Sequence, residues 1–286
     1  MPYANNGDCR IYYETFGSPA DPPLLLVNGL GSQCITYHEN WCAKFNDAGF
    51  FVIRFDNRDV GLSSHFADAP VGPAGNAYTI ADFCDDAVAV LDDLGIDRAH
   101  VLGLSMGGMI VQQLAIDHRD RLLTVTSVMS TTGEPGYGEA TPEALAALLA
   151  PAPTDADEYV RQHIAGLRIW GSPAFADEGR WRAAAERACK RCFDPGGQTR
   201  QYLALRASAP RADGLRTVTT PMLVIHGDAD TLIDISGGRR TAELVPGARF
   251  ELIEGMGHDY PPQLWDRWVE LVAELAGLQP TTDGNR

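Results

Sequence analysis

The chain has 286 residues, with 38 Asp or Glu against 23 Lys or Arg, a formal net charge of −15, 45% hydrophobic and 21% charged residues. That apolar share excludes wholesale disorder and collagen-like structure, and the length allows one large domain or two ordinary ones. The negative charge repels phosphate backbones and no Lys/Arg cluster forms a basic track, so no nucleic-acid partner is expected. No run reaches the roughly 18 apolar residues that a membrane-spanning helix requires. The start, MPYANNGDCRIYYETFGSPA, lacks a basic stretch followed by an apolar one; no signal peptide is read, and a cytoplasmic protein is expected.

Short apolar runs alternate with longer amphipathic ones. Residues 11–17 alternate like a strand, and 24–29, 50–56, 100–105, 122–129, 222–228 and 249–255 are near-continuous apolar runs. Continuous runs are strands covered on both faces, as in a parallel sheet. Helical patterns occupy 79–95, with Thr79 as N-cap and Gly95 as stop, 106–118 and 262–277. This is the signature of an α/β architecture: a mostly parallel twisted sheet with helices on both faces. The alternation breaks over 133–211, which reads as helices only, punctuated by Pro and Gly. The expectation is a core of 1–132 and 212–286 with a helical insertion, 133–211, between its halves.

The sharpest motif is Gly103-Leu104-Ser105-Met106-Gly107, which matches G-x-S-x-G. A strand pattern enters it and a helical pattern leaves it, the strand–turn–helix that this motif requires. The turn is too tight for side chains at its flanks, hence the two glycines. It lifts Ser105 above the C-terminal edge of the sheet and aims the positive end of the following helix at whatever Ser105 attacks. A serine hydroxyl needs a base within hydrogen-bond reach, and imidazole suits. Of seven histidines, His226 lies inside an apolar strand, His100 begins the strand of Ser105 at its far end, and His118 ends the next helix. His38, His65 and His163 have no partner motif. His258 stands in EGMGHDYP, a Gly-rich loop past the last strand, where a parallel sheet carries its reactive groups. The acid that orients the imidazole follows the strand MLVIHG: Asp228 and Asp230 share a side if the turn stays extended, so pattern alone does not choose between them, and Asp234 is a weaker third.

On VNGLGS, RFDNRDVGLSS, GLSMGG, HGDADTLI and EGMGH, nearly the whole chain resembles the α/β-hydrolase superfamily. Within it, the run Asp56 to Ser63 and the N-terminal segment resemble the aclacinomycin methylesterase-like esterases. The resemblance implies an acid placed as G-x-x-D after the strand, which favours Asp230 over Asp228. It implies an oxyanion hole from the backbone N–H groups of Met106 and Leu30, although Asn28-Gly29-Leu30 replaces the common His-Gly-x. The expected activity is serine-dependent cleavage of a small-molecule carboxylic ester, without cofactor or metal, under a cap formed by 133–211. Trp170, Phe175, Trp181 and Tyr202 are candidate pocket walls, or the insertion's own core.

Other signals are expected to be structural. Asp56, Arg58 and Asp59 suit a buried charge network bracing a loop. Of the six cysteines, Cys189 and Cys192 form the one close pair; a four-cysteine zinc site needs a second, so these are expected to pack on a helix face. HENWC (38–42) is not a zinc H-E-x-x-H. Ser105 argues against dehalogenase or epoxide hydrolase chemistry, which uses Asp at this position. A cofactor-free perhydrolase of the non-haem haloperoxidase type, a carbon–carbon bond hydrolase or an acyltransferase would share all five groups. A small-molecule receptor is the non-enzymatic alternative.

Overall fold

Leu24 and Leu26 face one side of the sheet while Leu25 and Val27 face the other, and all four are fully buried. Such two-sided burial is what an uninterrupted apolar run requires. The computed structural model describes residues 2–69 and 77–278. Among these, β1 (Tyr3–Asn6), β2 (Cys9–Phe16), β3 (Pro23–Val27), β4 (Phe51–Phe55), β5 (Ala99–Leu104), β6 (Leu122–Val128), β7 (Met222–Gly227) and β8 (Arg249–Ile253) form one sheet, ordered β1-β2-β4-β3-β5-β6-β7-β8. β2 runs antiparallel to β1 and β4; every other pairing is parallel.

The helices are α1 (Glu39–Asp47), α2 (Ile80–Asp93), α3 (Met106–Asp117), α4 (Pro142–Leu148), α5 (Ala156–Trp170), α6 (Glu178–Arg191), α7 (Pro195–Ala207), α8 (Ala212–Leu215), α9 (Ser236–Leu244) and α10 (Pro262–Ala276). α1 and α10 cover one face, where Trp41, Phe45, Trp265 and Trp268 pack on Leu24, Leu26, Leu102 and Ile225. α2, α3 and α9 cover the other, with Phe83, Ile110, Leu114 and Leu244 against Leu25, Val27, Val101 and Val224. Thr79 caps α2 through a capping box with Asp82, and Gly95 beyond it takes a positive φ of 68°. β1, α1, α8 and α9 go beyond the elements legible in the sequence. The expected strand at 100–105 ends at Leu104, because the backbone turns out of the extended conformation at Ser105, whose φ is 55°.

Residues 133–211 contribute α4–α7 and no strand, while β6 and β7 on either side pair directly with each other. Val160, Ile164, Trp181 and Ala185 give these helices a small buried cluster of their own. Ion pairs from the 56–59 run reach three helices, two of them from Arg58 to Asp82 and Asp86 of α2. Asp56 meets Arg191 of α6 at 2.8 Å, Asp59 meets Arg200 of α7 at 2.8 Å, and Arg58 grips Asp86 of α2 at 2.6 and 2.7 Å. The pairs of Asp56 and Asp59 therefore tie α6 and α7 to the loop after β4. Among the described residues no helix is long and apolar enough to cross a membrane.

Candidate active site

Ser105 sits between β5 and α3 with φ 55° and ψ −114°, a conformation a non-glycine residue holds only when its surroundings impose it. The surroundings are backbone. A Cβ at Gly103 would lie 2.1 Å from the carbonyl oxygen of Gly107, and one at Gly107 would lie 2.1 Å from that of Val27. The start of α3 is thus pressed against the end of β3, and only glycine fits at either position. The Ser105 N–H donates to the Val128 carbonyl at 2.9 Å, and the Ser130 hydroxyl donates to the Ser105 carbonyl at 2.9 Å.

The His258 imidazole bridges Ser105 and Asp230. Its Nε2 lies 2.8 Å from Ser105 Oγ and its Nδ1 2.7 Å from Asp230 Oδ2. A carboxylate accepts only, so Nδ1 carries the proton and Nε2 is free to accept the serine's. The other Asp230 oxygen accepts the N–H groups of Leu232 and Ile233, each at 2.9 Å. Burial alone would raise the Asp230 pKa, but the opposing charge and hydrogen bonds of His258 and His226 outweigh it and hold the carboxyl at about 2.

The turn after β7 does not stay extended, and its acids part company. Asp230 points into the site, whereas Asp228 is exposed and accepts the Gly255 N–H at 2.7 Å. Asp234 is also exposed and accepts the N–H of Ser236 at 2.9 Å. The loop carrying His258 is held from α5. The His258 N–H donates to the Trp170 carbonyl at 2.6 Å, and the Gly257 N–H to the Ser172 hydroxyl at 2.8 Å. That hydroxyl in turn donates to Asp259.

The turn after β3 packs directly on the serine: a Cβ at Gly29 would lie 3.4 Å from Ser105 Cβ. This brings Leu30 to the same end of the sheet as Met106. Met106 opens α3, so its N–H belongs to the first turn, where no intrahelical carbonyl is available. Asn28 ties its turn to the end of β4, donating to the Phe55 carbonyl at 3.2 Å and accepting from Asn57 Nδ2 through its own carbonyl at 3.1 Å.

Of the four aromatic candidates, Trp181 is buried in the cluster of α5 and α6, while Trp170, Phe175 and Tyr202 are half-buried. A small cleft of about 30 Å³ beside the 29–31 turn is lined by other residues, including Gly31, Tyr159, Cys189, Cys192, Phe193 and Gln198. Cys189 and Cys192 are thus half-buried cleft residues, with Cys192 at the C-cap of α6. Ligand atoms of Asp59, His65 and Asp194 lie within 4.8 Å of one another, but Arg200 already bonds both carboxylates, so the positive charge that a cation would bring is present.

Two buried side chains at this site were not legible as site residues. His226, fully buried on β7, has Nε2 2.8 Å from the Ile233 carbonyl and 3.4 Å from Asp230 Oδ2; both are acceptors, so Nε2 donates. Gln201 of α7 reaches Gly31 and Arg58. The sequence signals neither contact, because each depends on how a loop folds back. Of the other histidines, His100 pairs with Thr124 at 2.8 Å, His118 with Asp85 at 3.4 Å, His65 with Asp194 at 2.6 Å, His38 caps α1, and His163 of α5 stacks on Tyr159.

Comparison with known proteins places the chain among relatives. The family model for the alpha/beta hydrolase fold matches residues 22–260. Rhodomycin D methylesterase DnrP of Streptomyces peucetius is 32% identical over 90% of this chain and 91% of its own length. The 3-oxoadipate enol-lactonase 2 of Acinetobacter baylyi is 30% identical over 93% of each. Among solved structures, the enol-lactonase from Burkholderia xenovorans superposes with a TM-score of 0.77 at 26% identity, covering 96% of this chain and all of that one.

Proposed function

The chain belongs to the alpha/beta hydrolase fold family, and from that we propose that it hydrolyses carboxylic esters through an acyl-enzyme formed on Ser105. One observation carries the reading: His258 Nε2 stands 2.8 Å from Ser105 Oγ while its Nδ1 faces Asp230 at 2.7 Å. The names of the relatives, a methylesterase and an enol-lactonase, point to cleavage of ester bonds.

Ser105 Oγ attacks the acyl carbonyl carbon as His258 Nε2 takes its proton. The imidazolium that forms is stabilised by Asp230, which also fixes the tautomer. Negative charge develops on the former carbonyl oxygen, and the N–H groups of Leu30 and Met106 receive it. The tetrahedral species collapses, the C–O bond to the alcohol breaks, and His258 gives its proton to the leaving oxygen. Water then repeats the sequence on the acyl-enzyme and frees the acid. Residues 133–211 act as a cap that limits acyl or alcohol size and excludes water. The substrate is a small-molecule ester.

The test is hydrolysis of p-nitrophenyl acetate and butyrate by wild type and Ser105→Ala. Wild type turns over both, and the variant loses on the order of 10⁶ in kcat. Equal trace rates in the two proteins contradict the reading.

A further inference from the structure

Gln201 is fully buried on α7, and its amide spans two loops that are distant in sequence. Its Oε1 accepts the N–H of Gly31 at 2.8 Å, and its Nε2 donates to the carbonyl of Arg58 at 2.7 Å. The amide's orientation is unambiguous, because a backbone N–H only donates and a backbone carbonyl only accepts. Gly31 directly follows Leu30 and has a φ of 67°. The peptide whose N–H Gln201 holds is the Leu30–Gly31 peptide, so its plane bears on the direction of the preceding N–H, that of Leu30.

The rest of α7 is seated to make this bond exact in register. A Cβ at Gly197 would lie 1.8 Å from the Asp59 carbonyl oxygen, and one at Gly31 would lie 2.7 Å from Gln198 Oε1. Arg200 pairs with Asp59 at 2.8 Å, and Ala204, fully buried, packs into the core beneath. Four successive contacts along one helix therefore fix where the Gln201 amide meets the 29–31 turn.

We propose that Gln201 is a positioning residue for the oxyanion hole: a side chain from the helical segment 133–211 that sets the direction of the Leu30 N–H and makes the hole complete only while α7 is docked. This rests on the proposed role of Leu30, and it adds a second one to α7. The helix bounds the site and also orders the group that stabilises the transition state. Both donors of an oxyanion hole must be aimed before charge develops, and a shift of about 1 Å in such a group costs on the order of 100-fold in rate.

The experiment compares wild type, Gln201→Met and Gln201→Glu on p-nitrophenyl acetate, together with affinities for a phenylboronic acid, which places an oxyanion in the hole, and for a neutral ketone that binds as a ground-state competitor. Gln201→Met removes both bonds at similar volume. Gln201→Glu keeps the acceptor for Gly31. For Gln201→Met the expected result is a kcat lower by about 10- to 100-fold, KM within about threefold, boronate affinity weakened in parallel with kcat and ketone affinity unchanged. Gln201→Glu is expected to fall between it and wild type. A merely structural role would instead weaken both inhibitors alike and raise KM, and that pattern overturns the proposal. So does wild-type kcat in Gln201→Met, or failure of both variants to fold, which would make Gln201 a fold determinant. If only Gln201→Met fails to fold, the inhibitor pair measured on Gln201→Glu decides. Failure of the ester-hydrolase reading itself registers separately, as a wild type that neither turns over the ester nor binds the boronate.

Discussion

The main-chain N–H of His258 donates to the carbonyl of Trp170 at 2.6 Å, so the imidazole opposite Ser105 hangs from the last turn of α5. The approach is close enough that Gly257 has no room for a side chain: its Cβ would lie 2.4 Å from the Trp170 carbonyl oxygen. Gly257→Ala must push the loop away from α5 and carry His258 with it. The expected outcome is a loss of about 100-fold in kcat/KM, read by steady-state ester hydrolysis on protein whose circular dichroism spectrum is unchanged.

Asp230 and Asp228 separate cleanly. Asp230→Asn leaves His258 free to take the wrong tautomer, and kcat is expected to fall on the order of 10⁴-fold. Asp228 is exposed and bonds only a loop N–H, so Asp228→Asn stays within about threefold of wild type. Steady-state kinetics of the two variants, run side by side, checks both.

Stability responds to acid through Asp230. Its folded-state pKa is depressed from the ordinary value of 3.8 to about 2. A depressed carboxyl contributes stability that is present above the unfolded value and is lost as pH falls through the folded one. Wild type should therefore lose on the order of 2 kcal/mol more than Asp230→Asn between about pH 5 and about pH 2. Urea unfolding across that window measures the difference.

Arg200→Met strands Asp59, whose side chain is fully buried and otherwise accepts the Phe66 N–H at 2.7 Å. Breaking a buried pair by removing one partner costs about 3–5 kcal/mol. Chemical denaturation of the variant is expected to show a loss in that range. A loss below about 1 kcal/mol would mean that the tether between α7 and the loop after β4 is solvated.

The sequence made the central strands legible because burial on both faces writes an uninterrupted apolar run, as at Leu24–Val27. β1 was not legible: YANN places one buried side chain, Ala4, among polar ones. α9 was hidden by its two glycines, which look like a loop. Packing explains them, since a Cβ at Gly238 would lie 2.4 Å from His226 Nδ1 and one at Gly237 2.9 Å from the Ser130 carbonyl oxygen. Ser105 stood out through its G-x-S-x-G motif, and His258 through its Gly-rich loop past the last strand. The choice between Asp228 and Asp230 needed the path of a turn. The contacts of Gln201 with Gly31 and of Trp170 with His258 join segments 170 and 88 residues apart, which no local pattern records.

The most direct measurement is peptide mass spectrometry after treatment with a fluorophosphonate. A single adduct on Ser105 is expected, absent from Ser105→Ala and strongly slowed in His258→Ala. Folded wild type that takes up no label, or carries it on another residue, would contradict nucleophilic catalysis by Ser105.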